Sequence, residues 1–308
     1  MRFRLIPGVL AVVIAGSACG GPARAAPAPP SARWPERGMV LAKGNDPALA
    51  FAPQVLDPAA GMLYALVPTS VASPSAPYVL EAIDLRTGRV RRGESYRQAS
   101  ALTLASGSLW VSAAGPGGHL VLDAASQRTL ATIRSVPLPG PSTMAWVVAA
   151  GPPGSVWAGA DRTLLRVSAG TGAVLARAVL PSGLDLTALA AGPGGQNLYA
   201  AAARLPKPYG AVVLEYSAGT GSLLAQSDGA TLKWSAGGAW LTAVPGGVWV
   251  SFRTGMLGQS GLLSARSLSV AGGFPTNVTP ADSPATGVGT VYDWAMGSNS
   301  AYGGARCG

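Results

Sequence analysis

An all-β fold of short antiparallel strands is what this 308-residue sequence predicts, and three observations predict it. Composition is the first: 42 Gly and 26 Pro interrupt any long helical design, while 48% hydrophobic against 11% charged residues is too apolar for a disordered chain. The second is local, because apolar runs such as Leu109-Trp110-Val111 stand between Gly-, Ser- and Pro-containing turns. The third is that these runs recur at a fixed period, the signature of a repeat architecture.

At the amino terminus, Arg2 and Arg4 precede an uncharged run over residues 5–18, too short to span a bilayer and suited to the apolar core of an export leader. Ala15-Gly16-Ser17-Ala18-Cys19 follows and resembles a bacterial lipobox, with Gly16 where the commonest pattern has Leu. The resemblance implies that residues 1–18 are removed as a lipoprotein signal peptide and that Cys19 is lipidated. Cleavage after Ala23-Arg24-Ala25 is the alternative and would release a soluble secreted protein. Either route takes the chain out of the cytoplasm. Residues 19–37 read as the lipidated cysteine and an Ala/Pro-rich tether, and residues 38–308 as the folded domain. Pro137, Pro139, Pro141, Pro152 and Pro153 rule out a helix in the uncharged stretch around them, so attachment to the membrane rests on the two acyl chains of the lipid.

Two signals define the repeat. An apolar-aromatic pair appears as Leu63-Tyr64, Leu109-Trp110, Val156-Trp157, Leu198-Tyr199, Val248-Trp249 and Ala301-Tyr302, at spacings of about 46, 47, 42, 50 and 53 residues. A hairpin motif follows each pair. Asp84-Leu85-Arg86-Thr87-Gly88-Arg89-Val90 is the clearest copy, Thr171-Gly172 and Thr220-Gly221 keep its core, and the stretches from Leu122 to Thr129 and from Leu263 to Val270 are degraded copies. The second unit shows the arrangement: strands over 101–105, 109–113, 119–123 and 129–133, with a turn at Ala125-Ser126-Gln127 between the last two. One such four-stranded sheet cannot bury both faces, whereas several stacked around an axis can, so the expected fold is a β-propeller.

The apolar-aromatic pair and the Asp-x-x-Thr-Gly-x-Val hairpin resemble those of bacterial secreted or lipid-anchored β-propellers with YVTN-type or quinoprotein-like repeats, over roughly residues 50 to 308. Quinoprotein blades place a tryptophan after the Thr-Gly; Arg91 and Arg92 stand there in this sequence, so no quinone and no other cofactor is expected. Six blades are expected, with seven as the alternative. Only two strands remain for the last blade, over 290–308, so residues 38–42 are expected to add its outer strand, and further chain beyond Gly308 is expected. Cys19 and Cys307 are the only cysteines, so the fold does not depend on a disulfide and Cys307 lacks a partner within the mature chain.

Catalytic chemistry is thinly represented. His119 is the single histidine, and on a strand it stands about 13 Å from Asp123, too far for a hydrogen-bonded dyad. No spacing suggests a metal site, and no serine elbow leads into a helix. No catalytic residue is assigned. Trp110, Trp157 and Trp249 recur at the repeat period and are expected between blades; Trp146 and Trp234 lie at blade-to-blade connections and are candidates for a ligand surface. One face of the ring, formed by the second-to-third-strand loops and the links between blades, is expected to carry Arg97, Arg134, Arg162, Arg204, Lys207, Tyr209, Lys233 and Arg253, opposed by Glu94, Asp161, Asp185, Asp228 and Asp282. Within it Trp146, Arg162, Arg204, Lys207, Tyr209, Trp234 and Arg253 are the candidate ligand-binding residues.

A net charge of +9, about +7 once Arg2 and Arg4 leave with the leader, suits an anionic surface. Nucleic acid is not expected as a partner, because the basic residues are dispersed and no recognition motif is present. The sequence therefore reads as a monomeric, lipid-anchored binding or scaffold module of the cell envelope, engaging an envelope protein or an anionic surface component. The alternatives are a propeller enzyme with an axial site, such as a lyase, lactonase or dehydrogenase, and an assembly factor for envelope proteins.

Overall fold

The computed structural model describes residues 53–70, 76–115, 117, 119–141, 146–204, 211–227, 239–244, 246–254, 257–271, 282–287 and 290–294. The leader, Cys19, the tether, the strand expected over 38–42, and Cys307 lie outside the described residues.

Short strands separated by turns build a ring of antiparallel sheets. Blade 1 holds β1 (Gln54–Asp57), β2 (Met62–Pro68), β3 (Tyr78–Asp84) and the first half of β4 (Val90–Ala105). Blade 2 takes the second half of β4, then β5 (Ser108–Ala114), β6 (His119–Ser126) and β7 (Thr132–Pro141). Blade 3 comprises β8 (Val147–Ala150), β9 (Ser155–Ala160), β10 (Thr163–Ser168) and β11 (Val174–Val179). In blade 4 are β12 (Leu184–Ala191), β13 (Asn197–Arg204), β14 (Ala211–Ser217) and β15 (Leu223–Gln226). Blade 5 has β16 (Ala239–Val244), β17 (Gly247–Thr254) and β18 (Leu257–Ser264), with a bridge from Leu263 to Val270 in place of a fourth strand. The sixth unit shows β19 (Asp282–Gly287) and β20 (Thr290–Trp294).

The innermost strands β1, β4, β8, β12, β16 and β19 are neighbours in that order, and β19 lies beside β1, joined to it in parallel at Val55 and Thr286. Among the described residues the cycle closes with six members. The chain is a β-propeller, as the repeat predicts.

The middle strands of the blades are buried on both faces, β9 over its whole length and β5 from Leu109 to Ala113, because each sheet is covered by its neighbours. Four apolar cores lie in series between consecutive blades from 1 to 5. Trp110 and Trp157, both fully buried, fill two of them, as their place in the repeat predicts; truncating either to Ala is expected to cost on the order of 3–5 kcal/mol. Trp249 is half-buried on β17, in register with Thr242 and Leu262. In the uncharged stretch over 135–160, the described residues 135–141 and 146–160 form strands and turns, and no helix among the described residues is long and apolar enough to cross a membrane.

Two details differ from the sequence reading. In blade 2 the third strand runs on to Ser126 and the fourth begins at Thr132, because the turn takes its conformation from Ser126 and Leu130 rather than from Ala125-Ser126-Gln127. Blades 1 and 2 share one sixteen-residue strand, β4, which pairs with β3 through Tyr96 and with β5 from Arg97 onward, turning at Gln98 with φ 47.

Candidate functional site

The two faces of the ring are built differently. On one face lie the turns between first and second strands and the hairpins between third and fourth strands. These five hairpins share one geometry: the N–H of Gly88, Leu130, Gly172, Gly221 and Leu268 donates to the carbonyl four residues earlier, and all five have positive φ. The leading side chain closes the turn, with Asp84 accepting from the amides of Arg86 (2.8 Å) and Thr87 (3.1 Å), and Ser126, Ser168, Ser217 and Ser264 doing the same work with Oγ. Asp84 is held below the usual carboxylate range, chiefly by the amide of Arg86.

Neighbouring blades are fastened on this same face. The Arg91 guanidinium of blade 1 donates to the carbonyls of Gln127 and Arg128 in the next hairpin, Arg134 of blade 2 to Ala169, and Arg166 of blade 3 to Gly219. Trp157 Nε1 donates to the Ala218 carbonyl at 3.0 Å, and the Tyr64 hydroxyl reaches Gln127 Oε1 at 3.4 Å. Arg134 is therefore corrected: it faces the hairpins, not the loops, because β7 starts at the hairpin end and Arg134 pairs with Ala124.

The opposite face carries the second-to-third-strand loops and the links between blades. Its best-described sector joins blades 3 and 4. Asp161 occupies the turn between β9 and β10 with φ 50, a conformation that Asp tolerates. Its carbonyl accepts from the amide of Leu186 at 2.7 Å, while Arg162 Nη2 donates to the Leu180 carbonyl at 2.9 Å and the Arg162 carbonyl accepts from the Leu180 amide. This platform sets Asp185 near Asp161. Burial, then the Asp161 charge, raises the Asp185 pKa above the usual carboxylate range. Arg204 is exposed at the end of β13, in register with Leu184 one residue before Asp185, and makes no side-chain bond to another described residue. Cations and carboxylates thus share one rim, which suits charge-assisted recognition of a polar partner. Among the described residues no three His, Cys, Asp or Glu side chains gather to hold a metal ion.

The remaining candidates separate. Trp146 is corrected from a ligand surface to the core between blades 2 and 3, at 2% exposure, with its carbonyl accepting from Ser100 Oγ (2.8 Å) and Ser112 Oγ (2.9 Å). Arg253 lies on β17 with its side chain outside the described residues, as do Lys207, Tyr209 and Trp234 entirely. His119 is exposed at the start of β6 and Asp123 is half-buried on the same strand, where burial raises its pKa against a hydrogen bond with Ser135.

Sequence reasoning missed one polar group. Glu215 on β14 is 8% exposed, and its Oε1 accepts from Asn197 Nδ2 at 2.6 Å and the Tyr199 hydroxyl at 3.4 Å; burial raises its pKa. The available signal was register: Glu215 follows Leu214 as Arg166 follows Leu165, opposite the repeat aromatics Tyr199 and Trp157.

No protein-family profile and no curated protein matches the chain. Among solved structures it is similar to a protein assigned as a 6-phosphogluconolactonase from Bacteroides uniformis (TM-score 0.55, 13% identity, 83% of this chain and 89% of that one). It is also similar to a luciferin-regenerating enzyme (0.51, 12%, 78% and 80%) and to hydrazine synthase of Kuenenia stuttgartiensis (0.52, 14%, 68% of this chain). The chain spans 63% of the hydrazine synthase chain. At these identities the likeness is one of fold: a β-propeller module.

Proposed function

We propose that this propeller is an extracytoplasmic binding or scaffold module, carried on a lipid at Cys19, whose loop face engages an envelope protein or an anionic surface component. The observation that carries the reading is the loop rim between blades 3 and 4, where Asp161 and Asp185 are set close together and exposed Arg204 stands at the end of β13, next in sequence to the segment holding Lys207 and Tyr209. A rigid ring presenting loops of mixed charge is a common way to hold a partner.

The test is cross-linking of the lipidated chain in its native envelope. Arg204→Ala with Lys207→Ala is expected to lower recovery of a reproducible partner roughly tenfold, the effect of losing one or two charge-assisted contacts. Recovery equal to that of the parent chain removes the loop face from the proposal. Metabolic labelling with a radioactive fatty acid tests the anchor separately, since Cys19→Ala abolishes incorporation if Cys19 is the acylated residue.

A further inference from the structure

Three outer strands begin with the same irregularity. In β7 the register against β6 slips between Thr132 and Arg134, leaving Ile133 without a cross-strand partner. Leu175 is skipped in the same way between Val174 and Ala176 of β11, and Leu224 between Leu223 and Ala225 of β15. A bulge turns its extra residue out of the ladder. Here the residues turned out are all large aliphatics, exposed by 62%, 49% and 56%, with Val174 and Leu223 beside two of them also exposed. Single exposed apolar residues are ordinary on protein surfaces, but one at the same position of three successive blades is a pattern.

Each bulge directly follows a third-to-fourth-strand hairpin, so the aliphatics form an arc of the rim of the hairpin face over blades 2 to 4. The tips of blades 3 and 4 inside that rim are Gly170-Thr171-Gly172 and Gly219-Thr220-Gly221, small and uncharged. Exposed Arg86, Arg89, Arg128 and Arg266 stand on the tips of blades 1, 2 and 5. Two carboxylates of this face, Asp57 and Asp84, accept backbone N–H groups from Ala60, Arg86 and Thr87, and exposed Glu94 lies beside the blade 2 hairpin, its amide donating to the Leu130 carbonyl. An apolar rim with exposed guanidinium groups among small residues complements an anionic bilayer, where aliphatic side chains enter the headgroup boundary and arginines meet phosphate.

We propose that the hairpin face is a membrane-docking surface for anionic lipid, with Ile133, Leu175 and Leu224 inserted and Arg86, Arg89, Arg128 and Arg266 on the headgroups. The surface stands independently of the anchor at Cys19 and of the loop-face reading. It orients the ring with its loop rim away from the bilayer.

The test uses the chain from residue 19 to residue 308 carrying Cys19→Ser, so that no acyl chain contributes. Cosedimentation is measured with vesicles of phosphatidylglycerol and phosphatidylcholine in equal parts, and with phosphatidylcholine alone. Binding to the mixed vesicles, weakened by salt and at least tenfold poorer without phosphatidylglycerol, is expected. Ile133→Ser, Leu175→Ser and Leu224→Ser together are expected to weaken it at least tenfold while leaving thermal unfolding in place, since all three side chains are exposed. Arg128→Glu with Arg266→Glu removes the preference for anionic vesicles. Parent-like binding by the triple serine variant overturns the proposal, as does absence of binding by the parent chain. So does a concentration-dependent dimer that the serine variant abolishes, which would make a second copy the occupant of the rim.

Discussion

Leu130 sits where the clearest repeats have glycine, at φ 59, in a conformation that costs an L-residue about 1–2 kcal/mol. Its side chain is 1% exposed in the core between blades 1 and 2, and the facing residue is Gly93, where an added Cβ would meet the Leu130 side chain and come within 2.6 Å of its carbonyl oxygen. One blade further on the volumes are exchanged: the hairpin has Gly172 and the facing strand has Val136, 2.9 Å from where a Cβ would stand. Each joint thus divides a fixed space between hairpin and strand. Gly93→Ala is expected to destabilise by about 2–4 kcal/mol, because backbone as well as side chain must move. Leu130→Gly is expected to lose about 2 kcal/mol net, the buried side chain outweighing the relieved strain. Gly93→Val combined with Leu130→Gly reproduces the Val136–Gly172 arrangement and is expected to recover part of that loss, giving a coupling of roughly 1–2 kcal/mol in a denaturant double-mutant cycle. Strict additivity would show that the two positions do not share the space. The sequence signalled the hairpin through Thr-Gly but not the exchange, since a degraded copy shows a missing glycine without showing which strand yields the volume.

The arginine contacts act between whole elements. Arg91 and Arg134 occupy equivalent places on their outer strands, opposite Ala82 and Ala124, while blade 3 has Ala176 there and sends Arg166 from its third strand instead. The same function is met from a neighbouring strand, which is why no single position in the repeat reads as conserved chemistry from sequence. Arg92, adjacent to Arg91, pairs with Glu81 at 2.9 Å and is largely exposed, so the run Arg89, Arg91 and Arg92 divides into three roles rather than forming one patch. Arg134→Ala is expected to cost about 1–2 kcal/mol, the worth of a charge-assisted hydrogen bond to a carbonyl. Hydrogen exchange localises the effect: the amides of Ala169 and Gly172 should lose protection while those of the Gly88 hairpin keep theirs. Equal loss at both hairpins would place the bond's effect on global stability and not on the joint. Although Arg134 lies one residue beyond the fourth strand expected over 129–133, the blades that carry these residues were legible from apolar runs between turns at the repeat period. The bulges that reset their register were not, as they arise from the twist of outer strands that no apolar alternation records.

At the scale of the molecule, the repeat period made the ring legible, while its closure at six became visible only where β19 meets β1. Among the described joints from blade 1 to blade 5, that between blades 4 and 5 departs most from the others, because Glu215 stands where blade 3 has Arg166, and a carboxylate cannot donate to the next hairpin. Burial holds Glu215, Asp123 and Asp185 above the usual carboxylate range. The folded state therefore binds more protons than the unfolded state in the window between the usual carboxylate pKa and each raised one. Stability falls as pH rises through that window and stays lower at neutral pH. Asp84, lowered and exposed, works in the other direction: its contribution is complete above the usual carboxylate value and is lost only as pH falls through its own lower one. The expected optimum is thus mildly acidic. Glu215→Gln keeps an acceptor for Asn197 Nδ2 and cannot ionise, so it is expected to raise the melting temperature at neutral pH and to flatten its decline from acidic pH, measured by circular dichroism across a pH series. A lower melting temperature at neutral pH, with the slope unchanged, would mean that the ionised carboxylate between Asn197 and Tyr199 stabilises the ring, and that the pH dependence comes from Asp123 and Asp185.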